Sequence, residues 1–540
     1  MKKQKSIERS DLLTSQSNRK NKYGQYFTPK QIAEFMVDLA EVPINSAVLE
    51  PCSGKGVFLD TLHEKGFTKI TSYEIDETLI EKKHKTINES FVSASINKKF
   101  KLIIGNPPYI RWANLEDELK VELINNPLWN KYFNSLCDYL YFFILKSIEL
   151  LEDEGQLIFI CPEYWLNTTH SLSLRNYMAS NGYFESIYHF NETPIFKGVT
   201  ISSIIFKYIK SHKVRPKVNI YKFHSSKFPS DKILHDLRTK TNNEEIELIK
   251  VKQFEINERW LLIEEKNVEK LKSFETACSK KMPEQIITLF SSKIIFYTIN
   301  DVCDIGNGLV SGLDKAFFID ENGLNENENQ ALIKVVKAKD ILPFVHKNIS
   351  NYIFLENGLE EQELKSFYPI FFSKFQLYKN KLLERYNYNR DINYWEWAFL
   401  RNFQLFSKNQ PKIFVPCKER ISNKNHFRFA LVGENIFPTQ DVTALFKKEH
   451  VKESLEYILA YLNNERVFNW LKHNGIVKGS IIEFSEKPLA SIPFRAINWD
   501  NTNEVKLHDL ITTICKSYVT SQNEEKLRHI NECFNKLFDS

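Results

Sequence analysis

Short apolar runs alternate with stretches of helical periodicity from residue 47 to residue 208, and this alternation limits the fold more than any other feature of the sequence. Six of the runs have the length and the β-branched or aromatic content of buried strands. These strand candidates are 47–50, 69–73, 101–104, 156–161, 186–190 and 201–208. Because strands that are separated by helices pair in parallel, the sequence predicts an α/β domain built on a parallel sheet.

The length and composition limit the class of protein. A chain of 540 residues exceeds what one core serves, since cores stop growing at ~250–300 residues, so several domains are expected. No run approaches the ~18 uncharged apolar residues of a membrane span, and the N-terminus lacks the apolar segment of a signal peptide. The eight cysteines include no C-x-x-C pair, which disfavours a zinc ribbon or a redox motif. We therefore expect a cytoplasmic protein without a membrane span and without a metal site.

The chain divides into segments of different character. Five are predicted: a mobile basic arm at 1–22, a sheet domain at 23–210, a charged connector region at 211–298, an α+β domain at 299–500 and a C-terminal helical segment at 501–540. In the sheet domain, Thr28 and Pro29 resemble an N-cap and a first-turn proline before an amphipathic helix. In the α+β domain, strands are predicted at 316–319, 352–355, 412–415 and 427–432, and a helix at 455–462.

One window of the α+β domain is strongly basic. Residues 371–430 hold twelve lysines and arginines against four acidic residues, a net charge of +8, whereas the whole chain carries only +5. Aromatic residues alternate with these cations, a mixture that suits a groove that follows phosphates and stacks bases. The equally weighted alternative is a solvated basic face above an aromatic core. Under the first interpretation Lys379, Lys381 and Arg385 are candidates for contacts to nucleic acid.

Two of the strand candidates end in loops that suit a nucleoside. The first is followed by residues 51–56, whose two glycines allow close backbone approach, although the loop matches neither a P-loop nor a G-x-G-x-x-G fingerprint. Glu74 ends the next strand about 20 residues later, where it can accept hydrogen bonds from both hydroxyls of a ribose. Since the carboxyl ends of parallel strands meet at one edge of a sheet, the two loops outline a nucleoside site there.

The loop after the third strand candidate, Asn106-Pro107-Pro108-Tyr109, is the sharpest chemical signal. Two consecutive prolines stiffen the turn and hold Asn106 in place. The Asn106 side-chain oxygen and the Pro107 carbonyl can both accept hydrogen bonds from one planar amino group. Two such acceptors would draw the nitrogen towards a tetrahedral geometry in which its lone pair can attack a methyl donor.

Four motifs in this order carry a resemblance to a known family. They are GQYFTP at 24–29, VLEPCSGKG at 48–56, YEID at 73–76 and NPPY at 106–109. Together they resemble the γ-class DNA adenine-N6 methyltransferases, the TaqI-like and Eco57I-like enzymes of restriction-modification systems. Asp138 and residues 154–162 and 194–199 look like later motifs of that catalytic domain, and 305–312 and 462–493 look more loosely like its C-terminal specificity domain. The resemblance implies a Rossmann-like methyltransferase domain followed by a target-recognition domain.

The same resemblance implies a site for S-adenosylmethionine. Residues implied to bind this cofactor are Thr28, Glu50, Cys52, Gly54, Glu74, Ile75, Phe91 and Asn106. In the family pattern, Glu50 faces the amino-acid group, Glu74 holds the ribose and Ile75 packs on the adenine. One position departs from the pattern, because Ser90 stands where many members place an acid that contacts the adenine amine. Glu89 would take that place after a shift of one residue.

The implied substrate is an adenine in double-stranded DNA. Asn106 and the Pro107 carbonyl would bind its N6 amine, Tyr109 would stack on its ring and Phe196 would complete the sandwich. An amine that is stacked and paired inside a duplex is out of reach, so the base must be extruded into the pocket. A separate cognate restriction endonuclease is the expected partner in the cell.

Three alternatives share parts of this pattern. An N-P-P-Y loop also occurs in methyltransferases that act on ribosomal RNA or on glutamine side chains of release factors, and these resemble compact domains without 300 further residues. An inactive DNA-binding subunit would retain the fold, although the intact Asn106–Tyr109 loop and Glu50 disfavour it. Because only 23 residues precede the first motif, a fused N-terminal nuclease is not expected.

Overall fold

The computed structural model describes residues 26–196, 201–213, 216–279, 297–320, 322–388, 390–421, 424–478 and 481–539. The predicted arm at 1–22 and the motif positions 24–25 and 197–199 lie outside these residues. The chain forms two compact units, Met1–Val268 and Glu269–Ser540. In the described parts of the chain, no helix combines the length and the apolar character that crossing a membrane requires.

A nine-stranded sheet forms the centre of the described part of the first unit. Its strands are β1 (Val48–Glu50), β2 (Ile70–Glu74), β3 (Ile87–Asn88), β4 (Phe100–Gly105), β5 (Leu151–Pro162), β6 (Gly182–His189), β7 (Ser203–Lys210), β8 (Val218–Phe223) and β9 (Ile246–Val251). They lie in the order β3-β2-β1-β4-β5-β7-β6-β8-β9. The first five strands in this order pair in parallel; in register, Val48 lies opposite both Ile70 and Leu102.

Helices cover both faces of this sheet. They are α1 (Lys30–Asp38), α2 (Val57–Glu64), α3 (Asp117–Ile124), α4 (Pro127–Tyr132), α5 (Tyr139–Leu150), α6 (Leu172–Asn181) and α7 (Asp231–Thr239). A further helix, α8 (Glu265–Ala277), includes the boundary between the units. Neighbouring residues of one strand face opposite cores: Leu49 packs in the cluster that contains α5, and Val48 in the cluster that contains α1. Both are fully buried, as a strand covered on two faces requires. The predicted α/β class is confirmed.

Two features of the sheet differ from the sequence prediction. Strand β7 runs antiparallel to both of its neighbours, β5 and β6, so the sheet is mixed. Strands β8 and β9 extend the sheet to Val251, past the predicted end at residue 210 and into the predicted connector. In β9, an edge strand, Glu247 and Lys250 interrupt the apolar residues and only Ile249 and Val251 are buried, so the sequence lacks the apolar run of a buried strand.

Smaller sheets and helices make up the described part of the second unit. Its strands are β10 (Cys303–Asn307), β11 (Phe318–Ile319), β12 (Leu332–Val336), β13 (Ser350–Ile353), β14 (Lys412–Pro416), β15 (Lys418–Arg420), β16 (Ala430–Val432), β17 (Ile436–Pro438), β18 (Val442–Lys447), β19 (Ile476–Lys478) and β20 (Ile481–Glu483). They form sheets in the orders β10-β18-β14-β16, β11-β13-β12-β17 and β15-β20-β19.

The helices of the second unit are mostly short until the C-terminus. They are α9 (Ile299–Val302), α10 (Asp314–Phe317), α11 (Glu326–Gln330), α12 (Glu361–Phe367), α13 (Pro369–Leu383), α14 (Phe403–Phe406), α15 (Leu455–Leu462), α16 (Glu465–Asn474), α17 (Glu486–Ala490), α18 (Thr502–Ser521) and α19 (Glu524–Phe538). The helix predicted at 455–462 has the observed bounds. Of the strand predicted at 316–319, the first two residues belong to helix α10, because Asp314 begins a helical turn, and the last two form β11.

Candidate active site

The parallel pairing of β1 with β2 and β4 brings three predicted loops to one edge of the sheet. Glu50 ends β1, Glu74 ends β2 and Asn106 follows β4, and all three strands point in the same direction. Two cavities of about 650 and 800 Å³ open at this edge. Residues that line both cavities are Tyr26, Phe27, Cys52, Gly54 and Asn106.

The loop after β1 is tied to its neighbours by hydrogen bonds. The Gly54 backbone N–H donates to Glu74 Oε2 at 2.7 Å, and the Asp76 N–H donates to Glu74 Oε1 at 2.9 Å. The Cys52 thiol donates to the Asn106 carbonyl at 3.2 Å. Gly56 adopts a left-handed conformation, with φ at 81°, and an added Cβ would lie 2.6 Å from the His84 ring, so a glycine is required there. Glu74 and Cys52 thus hold the three strand ends together.

Glu50 is a buried carboxylate without a partner. Its side chain lies in the wall of the larger cavity, the residue is 1% exposed, and neither of its oxygens accepts a hydrogen bond from the described residues. Burial raises the pKa of Glu50 well above its ordinary value, and the nearby charge of Glu74 raises it further. A buried carboxyl group in this state resists ionisation when it is alone and ionises readily once a cation lies beside it. The ammonium and sulfonium groups of S-adenosylmethionine meet that requirement, so the residues present fit this cofactor.

The Asn106 side chain is held in one orientation. Its Nδ2 donates to the Tyr26 carbonyl at 2.7 Å and to Thr28 Oγ1 at 3.1 Å, so Oδ1 faces the other way as an acceptor. The Tyr109 hydroxyl lies within hydrogen-bond distance of that Oδ1 and 3.0 Å from the Ile160 carbonyl. The helix after Thr28 has Pro29 at its N-cap and no side-chain cap, so the predicted cap is wrong; the Thr28 hydroxyl accepts from Asn106 instead.

A third aromatic ring lies beside the two that the sequence predicted. Tyr26 stacks on Tyr109, with centroids 5.5 Å apart and planes at 18°, and also contacts Phe196 at 5.8 Å. Phe196 itself is buried in the cluster that contains α1. Sequence reasoning gave Tyr26 no role, although it stands two residues before Thr28 in the same motif. Tyr26 therefore contacts both Tyr109 and Phe196.

The far end of the smaller cavity is lined by the predicted adenine-binding residues except one. Ile75, Ser90 and Phe91 line it. Glu89 does not, because its side chain lies on the exposed surface. Ser90 thus lines the cavity and Glu89 does not, and the Ser90 hydroxyl donates a hydrogen bond to Glu122 of α3 at 2.6 Å.

Asp138, which belongs to the later motifs, holds the start of α5 beside the site through hydrogen bonds. It caps α5 by accepting from the Leu140 N–H at 3.0 Å, and it accepts from the Tyr164 hydroxyl at 2.6 Å. Burial raises the pKa of Asp138 to about 6 against the effect of these hydrogen bonds. The Tyr139 N–H donates to the carbonyl of Ile110, the residue after the Asn106–Tyr109 loop, so this cap fixes where the loop ends.

The three predicted nucleic-acid contacts lie in the second unit and differ in their surroundings. Arg385 donates to the carbonyls of Ser311 and Glu396 and lies over the Phe317 ring at 5.6 Å, and burial lowers its pKa to about 10. Lys379 forms a 3.0 Å ion pair with Glu361. Lys381 is exposed. Arg385 is therefore engaged within the fold, and Lys381 is the most accessible of the three cations.

Most rings of the basic window are part of a core. Those buried in the main cluster of the second unit are Phe371, Phe375, Tyr394, Trp395, Trp397, Phe406 and Phe414. Tyr386 and Tyr388, by contrast, are 66% and 38% exposed and contact each other with centroids 4.7 Å apart. The interpretation of an aromatic core under a basic face thus holds for the buried set, and the exposed pair remains available for stacking.

Comparisons with known proteins identify the family of this chain. The family described as Eco57I restriction-modification methylase matches residues 31–196. The type II methyltransferase M.HindII of Haemophilus influenzae is 45% identical over 524 residues, which cover 96% of this chain and 98% of the relative. M.HincII, also of Haemophilus influenzae, is 43% identical with the same coverage.

A solved structure supports the fold over both units. The type IIL restriction-modification enzyme MmeI in complex with DNA aligns with a TM-score of 0.59 at 13% identity, covering 98% of this chain and 73% of that one. The 45% identity to M.HindII over 96% of this chain, together with the family match over residues 31–196, shows that the chain belongs to the Eco57I-like restriction-modification methylases, with S-adenosylmethionine as its cofactor.

Proposed function

We propose that the protein methylates the N6 amine of an adenine that is flipped out of double-stranded DNA, and that this modification protects host DNA from a separate restriction endonuclease. The orientation of the Asn106 amide is the observation that carries the proposal. Because Nδ2 is engaged by Tyr26 and Thr28, the group presented to a substrate is an oxygen. An oxygen acceptor selects an amino group over a carbonyl group.

In this proposal, residues of the chain bind the adenine amine and make its nitrogen a better nucleophile. The cofactor, when bound, supplies an electrophilic methyl group. Asn106 Oδ1 and the Pro107 carbonyl accept the two amine hydrogens, which raises the electron density on nitrogen as its lone pair turns towards the methyl group. These acceptors act most strongly on the transition state, where positive charge develops on the amine.

The free protein satisfies the same acceptor with its own hydroxyl group. The Tyr109 hydroxyl donates to Asn106 Oδ1, and in the proposed complex the adenine amine replaces it there. The hydroxyl keeps a partner after this exchange, since the Ile160 carbonyl is 3.0 Å away. Entry of the base therefore leaves no buried donor unpaired.

Identification of the methylated base tests the proposed function. DNA would be incubated with the protein and S-adenosylmethionine, digested to nucleosides and analysed by mass spectrometry, with RNA and a glutamine-containing peptide as parallel acceptors. We expect N6-methyl-2′-deoxyadenosine from DNA and no methylated product from the RNA or the peptide. Methylated cytosine, or a methylated RNA or peptide acceptor with unmodified DNA, would contradict the proposal.

Substitution of Tyr109 should separate its ring from its hydroxyl. Tyr109→Phe is expected to keep most of the turnover, because stacking uses the ring face and the hydroxyl only occupies Asn106 Oδ1 in the free protein. Tyr109→Ala should lose much more, since stacking of a base on an aromatic ring contributes about 1–3 kcal/mol. Single-turnover methyl transfer on one DNA duplex measures both. Equal losses would indicate that the hydroxyl, and not the ring, is what the reaction needs.

The second unit is the proposed DNA-reading domain, and salt dependence tests its cations. Lys379→Gln with Lys381→Gln should weaken binding to all sequences alike and flatten the slope of log affinity against log salt by about 0.9 per lost phosphate contact. Arg385→Gln serves as the contrast: it removes hydrogen bonds to backbone carbonyls, so it should lower the unfolding temperature. Fluorescence anisotropy on cognate and random duplexes gives the slopes. An unchanged slope on both would mean that these lysines face only solvent.

A further inference from the structure

Ser90, in the lining of the smaller cavity, forms a hydroxyl–carboxylate pair with Glu122. Ser90 lines that cavity, is 7% exposed and donates its hydroxyl hydrogen to Glu122 Oε2 at 2.6 Å. Ser93 lies near the other carboxylate oxygen, with Oγ 3.3 Å from Glu122 Oε1. Glu122 is therefore held from both sides and keeps Ser90 in one hydroxyl rotamer.

This hydrogen bond determines which ligand groups the Ser90 hydroxyl can bind. A serine hydroxyl has one hydrogen and two lone pairs. Because the hydrogen is donated to the Glu122 carboxylate, the Ser90 oxygen can only accept a hydrogen bond. Two donors of the protein lie near it: the Val92 N–H, at 3.3 Å, and the hydroxyl of Tyr139, which lines the same cavity and hydrogen-bonds to Ser90. A ligand group that meets Ser90 is thus stabilised if it carries N–H bonds and repelled if it carries a carbonyl oxygen.

The surrounding walls suit a flat aromatic ligand. Apolar residues that line the same cavity are Ile75, Phe91, Leu119 and Phe143. Lys146 holds the backbone around Phe91, because its ammonium donates to the carbonyls of Phe91, Val92 and Ala94 at 2.6, 3.1 and 2.8 Å. The Ser90 acceptor therefore lies on a rigid loop beside an apolar slot.

The family resemblance places Ser90 beside the exocyclic amine of the cofactor's adenine. We propose that Glu122, acting through the Ser90 hydroxyl, is the positioning residue that makes this contact selective for an amine. Glu122 acts through Ser90 and does not itself line the cavity. The inference rests on the cofactor site described above. It predicts discrimination against a purine that carries an oxygen at the same ring position.

Calorimetry with two product analogues tests this selectivity without turnover. The ligands are S-adenosylhomocysteine and S-inosylhomocysteine, which differ in an amine against a carbonyl oxygen at purine C6. Wild-type protein is expected to bind the adenine form at least about tenfold more tightly. Glu122→Gln should lower that ratio by about five- to tenfold, the effect of one hydrogen bond, because an amide can donate to Ser90 and turn its hydroxyl hydrogen towards the ligand.

Three further variants make the result specific. Ser90→Ala should lower the ratio as Glu122→Gln does, and Ser90→Asp in the Glu122→Gln background should restore it by returning an acceptor. Glu118→Gln is the matched control, since Glu118 lies on the same helix with an exposed side chain, and it should leave the ratio unchanged.

The possible outcomes separate this inference from the site on which it rests. Equal weakening of both ligands by Glu122→Gln would mean that Glu122 only stabilises the loop, and would overturn the proposed selectivity. A wild-type ratio that survives Glu122→Gln would overturn it as well. A wild-type protein that binds neither analogue would overturn the cofactor site itself, and the inference with it.

Discussion

Replacing Asn106 with alanine should reduce methyl transfer by at least about 10²–10³-fold while leaving DNA affinity nearly unchanged. That range is typical for removal of one preorganised polar group that acts on the transition state. The structure adds a reason for a large effect, because the amide is held by Tyr26 and Thr28 before any substrate arrives. Alanine removes the acceptor and also the two hydrogen bonds that tie this loop to the N-terminal segment.

Single-turnover kinetics with tritiated cofactor measure methyl transfer, and anisotropy with labelled duplex measures DNA affinity. Asn130→Ala is the matched control: Asn130 is an exposed asparagine of the same unit whose Nδ2 also donates to a backbone carbonyl, that of Ile124 at 2.7 Å. It should behave as the wild type. Full turnover by Asn106→Ala would remove Asn106 from the mechanism, and loss of DNA binding in parallel with turnover would indicate a ground-state contact.

The sequence predicted the parts of this site that are encoded locally. Short apolar runs define β1, β2 and β4, and the residues that end them follow directly in the chain. The parallel arrangement then determines that Glu50, Glu74 and Asn106 share one edge. For these residues, the periodicity of a few neighbouring positions is enough to place the side chain.

Contacts between distant segments could not be predicted in this way. The partner that orients Asn106 is a backbone carbonyl 80 residues earlier in the chain, and any residue type at position 26 would provide it. Glu122 meets Ser90 across 32 residues and comes from a helix without a motif. Arg385 was predicted at a DNA interface from charge alone, yet its hydrogen bonds go to carbonyls of its own unit. Charge counts do not distinguish a solvated cation from a buried one.

Glu50→Gln should weaken the binding of S-adenosylmethionine by at least about 30-fold, since removing one partner of a buried charge pair costs about 2–5 kcal/mol. The carboxylate has no partner among the described residues, so the cofactor's ammonium is its expected counter-ion. Calorimetry with S-adenosylmethionine measures the loss. Glu77→Gln, an exposed acid at the same sheet edge, is the control and should bind normally.

The same substitution should stabilise the protein when no cofactor is present. Burial raises the pKa of Glu50 above its ordinary 4.5, so the folded state binds a proton more tightly than the unfolded state does. Stability from this group is therefore full below about pH 4.5 and is lost as the pH rises towards the raised pKa. Glutamine does not titrate, so the gain in unfolding temperature of Glu50→Gln over the wild type should grow from acidic to neutral pH.

Thermal unfolding between pH 5 and pH 8, with and without cofactor, separates a ligand-binding role from a structural one. In the wild type, saturating cofactor should raise the unfolding temperature by mass action, and the rise should increase with pH as Glu50 ionises. In Glu50→Gln the cofactor-induced rise should be much smaller at the same cofactor concentration, although the free protein is more stable. A variant that is less stable than the wild type at neutral pH without cofactor would show that Glu50 serves the fold, because a site kept for a cation must be costly while it has none.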